Sequence, residues 1–191
     1  MAKVTRFECV KPDWIRVVNA ARRTVGKKPI IKEPSETFKK KILLAEHSPI
    51  RLLEYDFTWE DIQQWITAHY VRHHEGCEKF VHTQRVDRNE LLKGLKRDEL
   101  PQGLLNDMDM TCNAQAFINI SRKRLCSCAS AETRLAWQLV IEFLKEIDPA
   151  LAEKCVPECV YRGFCPEFDR CCGYVNTGAY QERLKQYRTI K

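Results

Sequence analysis

The stretch NAQAFINISRKRLCSCASAETR, residues 113–134, decides how this chain is read. It lies in a run free of Gly and Pro from Leu104 to Asp148, which predicts one long helix. At about 100° per residue, Asn113, Phe117, Ile120, Arg124, Cys128 and Ala131 share a face. A cation and an amide within an apolar stripe are costly to bury unless an anion or a polar group meets them. The stripe is therefore expected to form one wall of a ligand site.

Upstream, Trp14–Arg23 is helix-compatible and ends in the turn Gly26-Lys27-Lys28-Pro29. Ser35 is a possible cap for a helix over Glu36–Glu46, which His47-Ser48-Pro49 breaks because a residue before Pro avoids the helical region. Leu52–Phe57 reads as a strand. Thr58 and Asp61 read as the capped start of a helix carrying Ile62, Trp65 or Ile66, His69 and His73, which ends at Arg72-His73-His74. Cys77–Arg85 alternates as a strand or extended loop, Asp87–Lys96 as a short charged helix, and Leu100-Pro101-Gln102-Gly103 is a turn. Beyond Asp148-Pro149 a short helix precedes a cysteine-rich segment, 155–173. The polar, basic stretch 180–191 is either a terminal helix or a mobile tail.

A chain of 191 residues with 44% hydrophobic content suits one domain with a sizeable core. No window approaches a membrane-spanning run, and MAKVTRFECVK lacks the apolar core of a signal peptide, so the expected compartment is the cytoplasm. The net charge of +6 suits a phosphate-bearing partner but is too mild to imply nucleic-acid binding by itself. A cysteine-rich nucleic-acid binder is the competing class; no nucleic-acid module or aromatic stacking pattern supports it.

The residues resemble the flavin-dependent thymidylate synthases, the ThyX family, from about Trp14 to Gly173. Arg97, Leu100-Pro101, Asn113-Ala114, Asn119, Arg124, Ala129 and Glu132 fit the family pattern with matching spacing. Asn113-Ala114-Gln115 opens the helix that in the family reads approximately N-A-R-x-L-x-N-F-x-x-x-R, and Ala129–Arg134 stands for A-Q-x-E-I-R. Asn19-Ala20-Ala21-Arg22 is similar to an early A-A-R segment, and His47-Ser48-Pro49 to an H-x-S/T-P turn with one residue fewer. The signature R-H-R-x7-S is matched by Arg72 and His73, with His74 in place of the second Arg. Thr83 matches the serine with one residue inserted, and Arg85 follows. The chain is shorter than typical members, as are compact phage-encoded relatives, for which the compartment would be the host cytoplasm.

The resemblance implies an α/β (α+β) fold, an antiparallel sheet flanked by long helices in a single domain over 1–191. It also implies a homotetramer whose sites are shared between subunits. The implied reaction passes a one-carbon unit from methylenetetrahydrofolate through reduced FAD to C5 of dUMP, with NADPH as reductant. The protein's share is positioning and electrostatics. Arg97 and Arg85 are then phosphate ligands, with Thr83 beside them, because the guanidinium fork matches phosphate oxygens. Arg124 faces the pyrimidine, where a cation stabilises negative charge on the ring. Arg72 lies near nucleotide and flavin, and His47, His73, His74, Asn113 and Asn119 contact flavin. Without the resemblance, Arg97 is a surface residue of a charged run, Arg124 pairs with Glu132, the histidines pack or cap, and Asn113 makes a helix N-terminal hydrogen bond. His74 replaces a permanent charge by one that titrates near neutrality. A dCMP-methylating or hydroxymethylating variant, or a non-catalytic nucleotide-binding protein, therefore stands beside dUMP methylation.

Ten cysteines without a secretion signal are expected to be thiols or metal ligands before disulfides. Cys155, Cys159, Cys165, Cys171 and Cys172 resemble the tail of some ThyX members, P-x-C, G-x-C-P-E and C-G. Four thiolates can hold zinc, yet the spacing is not that of a zinc ribbon, and buried thiols are the favoured reading. Cys126 and Cys128, read as two apart on the long helix, would project about 200° from each other and could not share a metal. No metal ligand is assigned.

Overall fold

The computed structural model describes residues 2–11, 13–167 and 169–190. Strands β1 (Lys3–Cys9), β2 (Glu54–Gln63), β3 (Cys77–Val81) and β4 (Leu105–Asn113) form one antiparallel sheet in the order β1-β2-β4-β3. Around it stand α1 (Trp14–Thr24), α2 (Glu36–Leu44), α3 (Gln64–Tyr70), α4 (Ala114–Arg124), α5 (Ala131–Ile147), α6 (Pro149–Lys154), α7 (Glu158–Arg162) and α8 (Gly178–Arg188). The α/β class and the antiparallel sheet are as the family resemblance implies. No helix among the described residues is long and apolar enough to cross a membrane.

The long helix is not there as one element. Residues 104–148 hold β4, α4 and α5, and the longest helix has 17 residues. In β4 the buried Asn106, Met108, Met110 and Cys112 alternate with Asp107, Asp109 and Thr111, the two-residue period of a sheet with one packed face. Asn113 then turns the chain into α4, its Oδ1 accepting from the Ala116 N–H at 2.9 Å. Ser130 starts α5 afresh, its Oγ accepting from the Thr133 N–H at 3.3 Å. Cys126 and Cys128 lie on the loop between these helices, not on a helix, and Cys128 is exposed, off any apolar stripe.

Thr58 and Asp61 do not begin a helix either. Strand β2 runs through them, with a register shift between Trp59 and Ile62 where Asp61 sits at φ +56°. Asp61 tolerates that backbone better than most residues and is held by Lys3 at 2.8 Å. Strand pairing wins because it buries Tyr55, Phe57 and Trp59 on one face. Their rings meet Phe117, Tyr70 and Trp137 at centroid distances of 4.4 Å (Trp59–Tyr70) to 6.2 Å (Trp59–Trp137). The predicted helices at Trp14 and Glu36 form with nearly the expected bounds, and Ser35 caps α2. Asp87–Lys96 yields only a short 3-10 turn, Glu90–Leu92.

Asp148 ties the sheet to the C-terminal helices. It caps α6 through the Leu151 N–H at 3.0 Å and accepts from Tyr55 Oη at 2.7 Å and Trp14 Nε1 at 3.3 Å, all buried. Tyr55→Phe leaves this carboxylate short of a donor and is expected to cost about 1.5–3 kcal/mol in urea denaturation. An unchanged midpoint would contradict the role given to Asp148. The tail alternative resolves as a helix. Helix α8 packs Tyr180 and Tyr187 against Val156, Cys159 and Val160 in a second apolar cluster, and the Tyr187 carbonyl accepts from Lys154 Nζ at 2.7 Å.

Candidate active site

Three helix ends and a strand converge on Arg124. It is the last residue of α4, half-buried, where the turn after α3 crosses the start of α5. Its Nε donates to His73 Nε2 at 2.9 Å and its Nη2 to the His69 carbonyl at 2.7 Å. The guanidinium lies 6.0 Å from the Tyr70 ring centre. His69 is positioned in turn by Thr133 of α5, Nδ1 to Oγ1 at 2.9 Å. Lys79 of β3 donates to the His73 carbonyl.

The electrostatics are one-sided. Burial, and then the neighbouring Arg72, lower the Arg124 pKa. No carboxylate among the described residues pairs with Arg124, and Glu132 lies exposed in the first turn of α5. Burial first, then Arg124, Lys79 and His74, push His73 down to about 4. At neutral pH His73 is therefore uncharged, with its Nε2 lone pair facing Arg124 and its proton on Nδ1. A guanidinium has five N–H donors and these contacts use two. The others remain for a ligand's carbonyl or anionic oxygens.

The His73 shift has a pH consequence. A histidine whose folded-state pKa is depressed leaves the unfolded chain binding more protons between its ordinary value near 6.5 and about 4. Stability from this group is complete above pH 6.5 and is lost as pH falls through that window, up to about 3 kcal/mol. Denaturation from pH 7 to 4 checks this; His73→Gln should flatten that part of the curve. An unchanged slope in the variant would contradict the neutral histidine.

A second group surrounds the N-terminus of α4. A cleft of about 460 Å³ is lined by Arg51, Glu75, Gly76, Asn113, Gln115 and Asn119. Gly76, at φ +72°, lies against the Asn113 side chain, and its carbonyl accepts from the Asn113 N–H at 2.9 Å. Gln115 donates to Glu46 at 2.6 Å and to Asn119 at 3.3 Å, and Arg122 pairs with Glu46. His47, exposed beside Glu46, precedes the 3-10 turn Ser48–Leu52 that carries Arg51.

The structure thus joins Arg124 with His73, places Arg72 and His74 exposed beside them, and puts Asn113 and Asn119 on one cleft. It does not bring Thr83, Arg85 and Arg97 to Arg124. Among the described residues no hydrogen bond or ion pair links the two sets. Arg85 is exposed and paired to Asp87 at 2.6 Å, while Arg97, also exposed, acts on the same Asp87. Thr83 Oγ1 accepts from the Arg85 N–H at 3.2 Å. Sequence reasoning gave Thr133, Gln115 and Arg51 no place in the site. Thr133 was legible as the third residue after the Ser130 cap; the other two carry no local signal.

No family model and no curated protein sequence matches the chain. Solved structures do. Thymidylate synthase X (ThyX) from Helicobacter pylori, solved with FAD and dUMP, superposes with a TM-score of 0.63 at 14% identity. The match covers 81% of this chain and 98% of that one. A UMP/dUMP methylase, PolB from Streptomyces cacaoi, bound with 5-Br dUMP, superposes with a TM-score of 0.59 at 13% identity, covering 85% and 96%. The sheet and the helices that carry Arg124, His73 and Asn113 accordingly belong to a chain with the ThyX fold.

Proposed function

We propose that this chain, read as one ThyX-like domain, is a flavin-dependent enzyme of the thymidylate synthase X type. It would transfer a one-carbon unit from methylenetetrahydrofolate to C5 of a pyrimidine deoxynucleotide, with dUMP as the first candidate and NADPH as reductant. The observation that carries the reading is Arg124, a half-buried guanidinium without a carboxylate partner and with free donors. Such a group favours a ligand that becomes anionic. A pyrimidine whose C5 turns nucleophilic places negative charge on its ring carbonyl, and a fixed cation there lowers the barrier. Two neighbours bound to dUMP or its bromo analogue support the same class.

The residues present fit a flavin. Gly76 keeps Asn113 uncovered by a side chain, and the cleft beside it offers amide donors and acceptors with Arg51 at its rim. Arg72, His47 and His74 are exposed toward solvent and free to meet the cofactor, while neutral His73 holds Arg124. Bound there, FAD would supply the hydride and one-carbon carrier chemistry that no side chain here can perform. The protein's own work is to orient the base, hold the phosphate through Arg85, Arg97 and Thr83, and exclude water.

In one chain that phosphate group stands apart from Arg124, which is what a site completed by a second copy would leave; we extend the reading to a homotetramer. The test is optical. Protein reconstituted with FAD should show a bound flavin spectrum that NADPH bleaches and that dUMP perturbs. Failure to retain FAD under any condition would reject the reading. Substituting dCMP for dUMP in the same titration separates the base variants.

A further inference from the structure

We propose that His69 is a second donor to the ligand that meets Arg124, an uncharged imidazole whose proton Ser130 and Thr133 hold on Nε2. The inference rests on the nucleotide reading above and deepens it: the acceptor is the pyrimidine carbonyl oxygen that gains charge as C5 turns nucleophilic. His69 stands one residue before the end of α3, and its carbonyl accepts from Arg124 Nη2 at 2.7 Å, which ties the two residues together. Its ring is half-buried and edge-on to Trp65, with centroids 5.7 Å apart at 78°. Nδ1 lies 2.9 Å from Thr133 Oγ1. Thr133 is fully buried, and its carbonyl accepts from Tyr70 Oη at 2.6 Å, so the start of α5 is fixed against α3. Ser130 Oγ accepts from the Thr133 N–H at 3.3 Å and lies 2.8 Å from Thr133 Oγ1. Among the described residues no hydrogen bond reaches His69 Nε2.

The hydroxyl chain has two possible directions. In one, Ser130 donates to Thr133 and Thr133 to Nδ1; in the other, an Nδ1–H donates to Thr133 and Thr133 to Ser130. The first turn of α5 decides between them. Ser130 caps a helix of 17 residues and Thr133 lies in its first turn, where unpaired N–H groups and the helix dipole make the potential positive. A lone pair is favoured there and an N–H donor is not. Nδ1 therefore accepts, and the proton sits on Nε2. Burial first, then Arg124 and Arg72, lower the His69 pKa, so the ring is neutral at neutral pH. A neutral donor can meet an oxygen that gains charge without adding a third cation beside Arg124 and Arg72. The two histidines thus take opposite tautomers for different tasks. His73 accepts through Nε2 and holds Arg124, whereas His69 accepts through Nδ1 and keeps its Nε2–H for the ligand.

Nitrogen NMR of the full-length protein, labelled at histidine, reads the tautomer without flavin or turnover. His69 should show a protonated Nε2 and a bare Nδ1 at neutral pH, and dUMP titrated into the same sample should shift the Nε2–H resonance. Thr133→Val keeps the shape and removes the hydroxyl, so it should mix the two tautomers; Thr133→Ser should restore the single form. In FAD-loaded protein, His69→Asn should lower turnover by about tenfold, the worth of one neutral hydrogen bond. His69→Gln, whose longer amide can place an N–H near the Nε2 position, should recover most of that loss. A proton on Nδ1, or an Nε2–H resonance unmoved by saturating dUMP, would overturn the proposal. Equal losses in the Asn and Gln variants would overturn it too, leaving His69 a packing residue. Failure to retain FAD rejects the flavin reading alone, because the tautomer and the dUMP shift are read without it.

Discussion

Arg124→Ala is expected to lower turnover of the reconstituted enzyme by about 100- to 1,000-fold, the usual loss for one preorganised donor to a developing oxyanion. The fold should survive. Burial already disfavours this charge and no carboxylate depends on it, so removing it strands no buried anion. A second readout separates a direct role from a structural one. Arg124 is the largest charge acting on His73, so the variant's His73 should titrate above about 4 while burial keeps it below 6.5. NMR of the imidazole measures that directly. Full activity, or an unmoved His73 titration, would mean the base lies elsewhere. Arg124→Lys should recover little, because a point charge cannot meet His73, the His69 carbonyl and a planar ligand together.

Gly76→Ala is expected to damage both the fold and the cleft at the N-terminus of α4. Gly76 has φ +72°, where an L side chain is strained by about 1–2 kcal/mol. Its new Cβ would stand 2.7 Å from Asn113 Oδ1 and 2.8 Å from Cγ. Asn113 cannot swing away freely, since Oδ1 is the N-cap acceptor for Ala116, and losing that cap costs about 1 kcal/mol more. The sum, about 2–3 kcal/mol, corresponds to a fall in Tm of roughly 5–10 °C for a chain of this size. The cleft proposed for the flavin should suffer too, because Gly76 and Asn113 form part of its lining. Calorimetry and FAD retention measure the two effects. Gly26→Ala is the control: it shares the positive φ, at +68°, but meets nothing within 4 Å, so only the backbone part should appear.

Several elements were legible because one signal dominated. Ser35 before an apolar helix, the basic end of α1, and Pro149 just after Asp148 each act locally, and each element forms where expected. The run 104–148 misled because Gly and Pro are not the only breakers. Asn-Asp-Met-Asp-Met-Thr-Cys-Asn alternates with a period of two, and that pattern marks β4. At Ser130 the restart depends on a hydroxyl cap in a sequence otherwise fit for a helix. Thr58 and Asp61 imitate a cap, and only partner strands on both sides reveal a bulged β2.

The site divides in the same way. Arg124, His73 and Asn113 could be named because they sit at helix ends with recognisable wording. Their mutual arrangement, in which His73 is neutral and accepts from Arg124, depends on burial that no local pattern encodes. Arg85 and Arg97 are close to one Asp87 although twelve positions apart, a proximity made by the irregular segment between β3 and β4. Sequence spacing is silent on such loops.

The central claim is that this chain activates C5 of a pyrimidine nucleotide, and tritium at that carbon reports on it whatever group is finally installed. Reconstituted protein with FAD, NADPH and methylenetetrahydrofolate should release tritium from C5-labelled dUMP or, for the base variant, from C5-labelled dCMP. Release should rise with flavin loading and fall away in Arg124→Ala. No release from either nucleotide by flavin-loaded protein would contradict the account.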